Sequence, residues 1–163
     1  MIRKKKKFVR PRKMYEKSRI LEENKLVEKY GLKNKREIWK TLAKINYFRG
    51  RAKDLVGADQ NEQDVLFSKL NGIGLKVDNI SDVLALKVED MLNRRLPSIV
   101  VKVGYAKTPR EARQMVVHKN VFIDGKVVNI PSYIVSVSEE KMISMKPRRV
   151  NAEIKDKEVS SNG

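Results

Sequence analysis

Apolar positions recur at helical spacing through the first two thirds of the chain and at strand-like spacing near its end. Ile20, Leu21, Leu26 and Val27 mark a first helix. Tyr30-Gly31 ends it, because glycine adopts the left-handed conformation that stops a helix. Asn34 is placed to cap a second helix, with Glu37 three positions on and Ile38, Leu42, Ile45 and Phe48 at helical intervals. The reach from Tyr15 to about Gly57 is therefore predicted helical. Trp39, the single tryptophan, is expected to anchor its core. Leu66, Leu70, Ile73 and Leu75 predict a shorter helix with a turn at Gly72-Ile73-Gly74. Ser81 predicts the cap of another, running through Val83, Leu84, Leu86, Val88, Met91 and Leu92.

The pattern is most informative between Arg94 and Tyr133. Thr108 is a good N-cap, since its hydroxyl can accept from a free N–H of the first turn. Pro109 follows at the first helical position, and Glu111 completes a capping box. Ala112, Met115 and Val116 form a buried face. Arg110, Arg113 and Gln114 fall outside it, His118 and Lys119 lie in the last turn, and Asn120 is the expected stop. Val121-Phe122-Ile123 and Lys126-Val127-Val128 then flank Asp124-Gly125, a strong hairpin signal because a type I′ turn needs two positive φ angles. From Ser132 to Met145 the pattern reads as strands: Tyr133, Val135 and Val137 alternate, and 141–145 follow. Glu139-Glu140 between them is expected on a turn, solvated. From Pro147 the chain is polar and reads as a disordered tail.

Charge adds to this picture. The chain has 163 residues, 37 Lys and Arg against 20 Asp and Glu, and a formal net charge of +17. That excess opposes compactness by self-repulsion unless a polyanion is bound, and nucleic acid is the usual one. The bias is local. Residues 94–126 hold eight basic side chains and two acids, Glu111 and Asp124. Met1 to Lys13 hold eight basic residues and no acid, which predicts an arm that orders on RNA. By contrast, 61–90 hold six acids and three lysines, so this part is expected to avoid phosphates or to face a protein neighbour. On the second helix, Lys40, Lys44, Arg49, Arg51 and Lys53 remain for solvent or phosphate.

Other classes find little support. The chain has no cysteine, so disulfides and cysteine-based zinc sites are excluded and an intracellular setting is expected. It has no apolar run near 18 residues, and its basic start, not followed by an apolar stretch, leads us to expect no secretory signal. His118 is the sole histidine, and no nucleophile or metal-binding carboxylate cluster stands out. No enzyme activity, catalytic residue, cofactor, metal, membrane or small-molecule substrate is expected.

TPREARQMVVHKNVFIDGKVVNIPSY, residues 108–133, resembles the αL RNA-binding module of the small-subunit ribosomal protein four family. Three further stretches resemble that family: PRKMYEKSRILEENKLVEKYGLKNKREIWKTLAKI at 11–45 is similar to the N-terminal helical region of its archaeal and eukaryotic forms, LALKVEDMLNRRL at 84–96 to its lead into the module and NIPSYIV at 129–135 to its exit, and the archaeal type is expected from what is missing. The cysteine-rich zinc knuckle of some bacterial members and their GQHG-type stretch are absent. The resemblance implies an α+β fold, with an N-terminal helical domain wrapped around a C-terminal αL module of helix-turn-helix and small antiparallel strands. It implies four parts: a basic disordered arm at 1–14, a helical domain at 15–93, the αL domain at 94–147 and a polar tail at 148–163.

The implied function is a structural constituent of the small ribosomal subunit in the cytoplasm. Such a protein is a primary binder of small-subunit (16S) rRNA that nucleates assembly of the subunit body. With small-subunit ribosomal protein five it influences translational accuracy; other subunit proteins are further partners. A stand-alone αL-module factor in ribosome rescue or RNA regulation is the alternative. The candidate rRNA-binding residues are Lys4, Lys5, Arg10 and Arg12 in the arm, and Arg36, Lys40, Arg49 and Arg51 in the helical part. In the module they are Arg94, Arg95, Lys107, Thr108, Arg110, Arg113, Gln114, His118, Lys119, Lys126 and Ser132.

Overall fold

The computed structural model describes residues 7–146. Helices α1 (Lys17–Lys29) and α2 (Lys35–Asp54) open the fold, followed by α3 (Gln60–Ile73), α4 (Ile80–Ala85) and α5 (Val88–Asn93). Then come α6 (Leu96–Lys102), α7 (Pro109–Val117), β1 (Val121–Ile123), β2 (Lys126–Val127), α8 (Val137–Glu140) and β3 (Ile143–Met145). The three strands form one antiparallel sheet in the order β2-β1-β3. The fold is α+β, as expected. Lys4, Lys5 and the tail from Pro147 lie outside the described residues.

Three apolar clusters hold these elements. One joins the second half of α2 (Ile45, Phe48, Ala52) to Leu66 and Leu70 of α3, Val83 of α4 and Met91 of α5. A second lies inside the C-terminal part, from Leu96, Ile99 and Val100 of α6 through Ala112, Met115 and Val116 of α7 to Val121 and Ile143 of the sheet. The third is small, Tyr30, Leu32, Ile38 and Leu92, at the junction of α1, α2 and α5.

The turn between α1 and α2 positions the whole site. Leu32 N–H donates to Val27 O at 2.9 Å and Gly31 N–H to Glu28 O at 3.3 Å, which ends α1 in a Schellman motif. Gly31 sits at φ +58. A Cβ there would lie 2.9 Å from the backbone carbon of Pro109 and 3.0 Å from the nitrogen of Arg110. Glycine is therefore required twice, by the positive φ and by the first turn of α7 resting on this turn.

Several expectations are corrected. The helix predicted from Ser81 to Leu92 is two helices, broken at Leu86-Lys87. The first starts after Asn79, whose N–H donates to the Asp82 carboxylate at 3.1 Å. The second starts after Lys87, whose N–H donates to Asp90 at 2.7 Å. The Asp three positions after each N-terminus captures a free donor and starts a new helix. Tyr133 to Val137 is not a strand. Ile134 forms one isolated bridge with Arg95, and Ser136 caps the single turn α8. Leu42 of α2 is exposed, and Asn34 occupies the cap position of α2 without a side-chain hydrogen bond. Trp39 is only partly buried; its indole N–H donates to Glu23 at 2.9 Å and its ring meets Phe8.

Candidate nucleic-acid interface

Helices α6 and α7 pack as a helix-turn-helix beside the hairpin. Thr108 Oγ1 accepts from Glu111 N–H at 3.2 Å, as the cap reading expects. The Glu111 carboxylate accepts from Lys107 N–H at 2.9 Å, one residue earlier than a standard capping box. Asp124 and Gly125 have φ of +50 and +71, the type I′ pair, and Ile123 stands opposite Lys126. The end of α7 is shifted by one residue from expectation. Asn120 N–H donates to Met115 O at 3.0 Å and Lys119 N–H to Val116 O at 3.1 Å, so the left-handed residue is Lys119, at φ +60.

The cations of this region divide into two sets. Arg94 is buried: its Nε donates to Ile73 O at 2.7 Å, one terminal nitrogen to Val135 O at 3.0 Å and the other to Glu140 at 2.9 Å. It ties the end of α3 to α8. Arg95 is also buried and donates to Glu37 of α2. Arg113 donates to both oxygens of the same Glu37, at 3.1 and 2.9 Å. Arg113 was expected to project freely beside Arg110; it faces the helical part instead. Burial acts to raise the Glu37 pKa, but hydrogen bonds from Arg113 and Arg95 and their charges outweigh it, so the group sits below its ordinary 4.5.

Glu139 and Glu140 depart from the expectation of a solvated turn as well. Glu139 accepts from Tyr133 Oη–H at 2.6 Å and from Ser136 N–H at 2.8 Å. Glu140 accepts from Arg94 and, at 3.2 Å, from Lys102. Hydrogen bonds from Tyr133 and from Arg94 are the largest influences on these two carboxyls, and both are held below 4.5.

The second set is open. Lys107, Arg110, Lys119 and Lys126 are exposed and make no ion pair among the described residues. Thr108, Gln114, His118 and Ser132 are exposed too. Gln114 and His118 line a shallow groove of about 490 Å³ on the outer side of α7 with Glu111, Met115 and Asn120. On α2, Arg36 and Lys40 are exposed and four residues apart, hence on one side of the helix. Arg51 is exposed near its end, while Arg49 is half-buried and donates to Leu86 O at 2.6 Å. Arg10 and Arg12 are exposed in the segment before α1. The structure thus leaves Lys107, Arg110, Lys119 and Lys126 open around α7 and the hairpin turn, and directs Arg49, Arg94, Arg95 and Arg113 to partners within the protein. Sequence reasoning missed Glu37 and Glu23 as acceptors. Their one signal was position: single acids among Lys, Arg and apolar residues.

Residues 94–141, which span α6, α7, the hairpin and α8, match the family of the S4 domain. Across nearly the whole chain, the sequence is 37% identical to small ribosomal subunit protein uS4 of Hyperthermus butylicus, covering 96% of each. The chain belongs to the uS4 family. A uS4 of Methanococcus aeolicus is 44% identical over 79% of the chain and 77% of its own length. That of Methanothermobacter thermautotrophicus is 41% identical over 87% and 86%. Family membership covers both parts of the molecule, the helical part as well as the S4 domain. Among the described residues, no group of three potential metal ligands lies together and no helix is long and apolar enough to cross a membrane.

Proposed function

We propose that the chain is a structural protein of the small ribosomal subunit that binds small-subunit (16S) rRNA through the outer side of α7 and the hairpin turn. The observation that carries this is the division of the module's cations. Acids neutralise the buried arginines, whereas Lys107, Arg110, Lys119 and Lys126 are left open. A small fold with open Lys and Arg gains affinity by releasing phosphate counterions. The N-terminal end of α7, next to Lys107 and Arg110, adds a partial positive charge for a phosphate. Arg10, Arg12, Arg36, Lys40 and Arg51 extend the basic surface over the helical part. The uS4 relatives support a place on the ribosome and a binding rather than a catalytic role.

In this reading the protein joins early, helps nucleate the subunit body, and neighbours small-subunit ribosomal protein five, through which it affects translational accuracy. The acidic stretch 61–90 suits a basic protein neighbour better than RNA. Filter binding of the full chain to small-subunit and large-subunit rRNA tests the central point. Preferential retention of small-subunit rRNA is expected; equal retention of both contradicts it. Sedimentation adds a second test, with the protein expected to stay on small subunits through a high-salt wash.

A further inference from the structure

Helix α2 has a side that the fold leaves uncovered. Its inner side carries Ile38, Ile45, Phe48 and Ala52 into the core. Arg36, Lys40, Lys44, Tyr47 and Arg51 follow one another at intervals of four, four, three and four. With 3.6 residues per turn, such spacing lines the side chains along one side of the helix. All five are exposed, and the four cations are in no ion pair among the described residues. The one acid between Arg36 and Arg51 is Glu37, which is turned to Arg95 and Arg113. At 1.5 Å per residue the stripe runs for roughly 20 Å.

Tyr47 is 67% exposed in the middle of these charges. Phe48 meets it in a T-shaped contact, with ring centroids 5.7 Å apart and planes at 63°. Such a contact steadies the Tyr47 ring and takes at most one of its faces. Beside it, neighbouring groups partly shield Lys44 from water. Together with the charges of Lys7 and Arg95 they hold its ammonium below the ordinary 10.5. Positive charge is crowded here, and an anion beside Lys44 would relieve it.

The aromatic ring narrows the anion. A duplex would satisfy the cations but keeps its bases stacked, away from Tyr47. An acidic protein segment would satisfy them too, but within the stripe Tyr47 has no apolar companion to form the core of a protein interface. A single strand brings phosphates to the cations and an unpaired base to the ring.

We infer that the outer stripe of α2 holds a single-stranded segment of RNA, with phosphates on Lys40, Lys44 and Arg51 and one base on the open face of Tyr47. Proteins that hold single strands combine a cationic track with exposed aromatic rings in this way. The inference rests on the reading that the chain binds RNA, and it adds a surface separate from α7.

The full chain, Tyr47→Ala and Tyr47→Phe are each titrated with an adenosine octamer and with an abasic ribose-phosphate octamer of equal charge. The native chain should prefer the adenosine octamer. Tyr47→Ala should cut that preference about tenfold, the effect of one lost base stack, and leave the abasic octamer unaffected. Tyr47→Phe keeps the ring and should keep the preference. Lys40→Ala with Lys44→Ala should weaken both octamers and lower the log–log salt slope by about 0.7 for each phosphate contact. A preference as large in Tyr47→Ala as in the native chain overturns the inference, as does an unchanged salt slope in the lysine variant. Polyglutamate bound as tightly as an adenosine octamer of the same charge would point to an acidic protein and overturn it too. Binding to small-subunit and large-subunit rRNA is measured on the same preparations. Preference for small-subunit rRNA with no effect of Tyr47→Ala on the octamers removes the α2 site alone. The expected octamer effects without that rRNA preference support the α2 site and remove the proposed function.

Discussion

Arg113 of α7 grips both carboxylate oxygens of Glu37 on α2, at 3.1 and 2.9 Å, across 76 residues of sequence. The pair joins the S4 domain to the helical part, and Arg95 closes it from a second direction. Arg113→Ala should therefore cost stability, about 1–3 kcal/mol for a charged hydrogen-bonding group whose partner keeps one arginine. For a chain of this size that lowers the melting temperature by roughly 2–4 °C per kcal/mol. An unchanged melting temperature would show that the clamp contributes nothing.

Glu37→Gln tests the same clamp through pH. The folded-state pKa of Glu37 is depressed, as are those of Glu23, Glu139 and Glu140. Such a group binds its proton more readily in the unfolded chain. Its stabilisation is complete above the ordinary 4.5 and is lost as pH falls through the lower folded value. Urea midpoints should hold from neutrality to about pH 5 and then drop, and the drop should be shallower in Glu37→Gln. The same acid slope in both proteins would assign the effect elsewhere.

Gly31→Ala meets two obstacles, φ +58 and the Pro109 backbone at 2.9 Å. The left-handed conformation alone costs roughly 1–2 kcal/mol for a residue with a Cβ, and displacing α7 adds to it. Gly72 in α3 meets nothing within 4 Å, so Gly72→Ala should be neutral or stabilising by up to about 1 kcal/mol. Equal melting temperatures for the two variants would refute the close approach of α7.

Lys119 holds a left-handed position where α6 and α3 end with glycine, Gly104 and Gly74. Lys119→Gly should raise stability by about 1 kcal/mol through relieved strain. It should also lower the salt dependence of rRNA binding by about one unit of log–log slope, the signature of one lost phosphate contact. Stability and affinity would move in opposite directions. Unchanged affinity and slope would make Lys119 a strained residue without an RNA role.

Local chemistry was legible in the sequence, and long-range pairing was not. Thr108-Pro109 and Asp124-Gly125 announce a cap and a turn because their determinants lie within four residues. The fate of Arg94, Arg95 and Arg113 depends on carboxylates 46, 58 and 76 residues away, and no local pattern reports that. A run of basic residues looks alike whether it meets phosphate or a buried glutamate. Tyr133, Val135 and Val137 alternate as a strand would, yet the Ser136–Glu139 capping box turns the chain after one bridge.

The central claim is that rRNA lies against the outer side of α7 while the arginine on its inner side is structural. Filter binding to small-subunit rRNA, run beside thermal melts, tests it with two variants. Lys107→Ala with Arg110→Ala should weaken binding by roughly 2–4 kcal/mol, about 1–2 for each charged contact. Its melting should barely move, because exposed helix charges contribute about 0–1 kcal/mol. Arg113→Ala should melt earlier yet bind rRNA with nearly native affinity below its melting range. The reverse, native affinity in the Lys107 and Arg110 variant and lost affinity in a stably folded Arg113→Ala, would put the RNA on the wrong face of the helix.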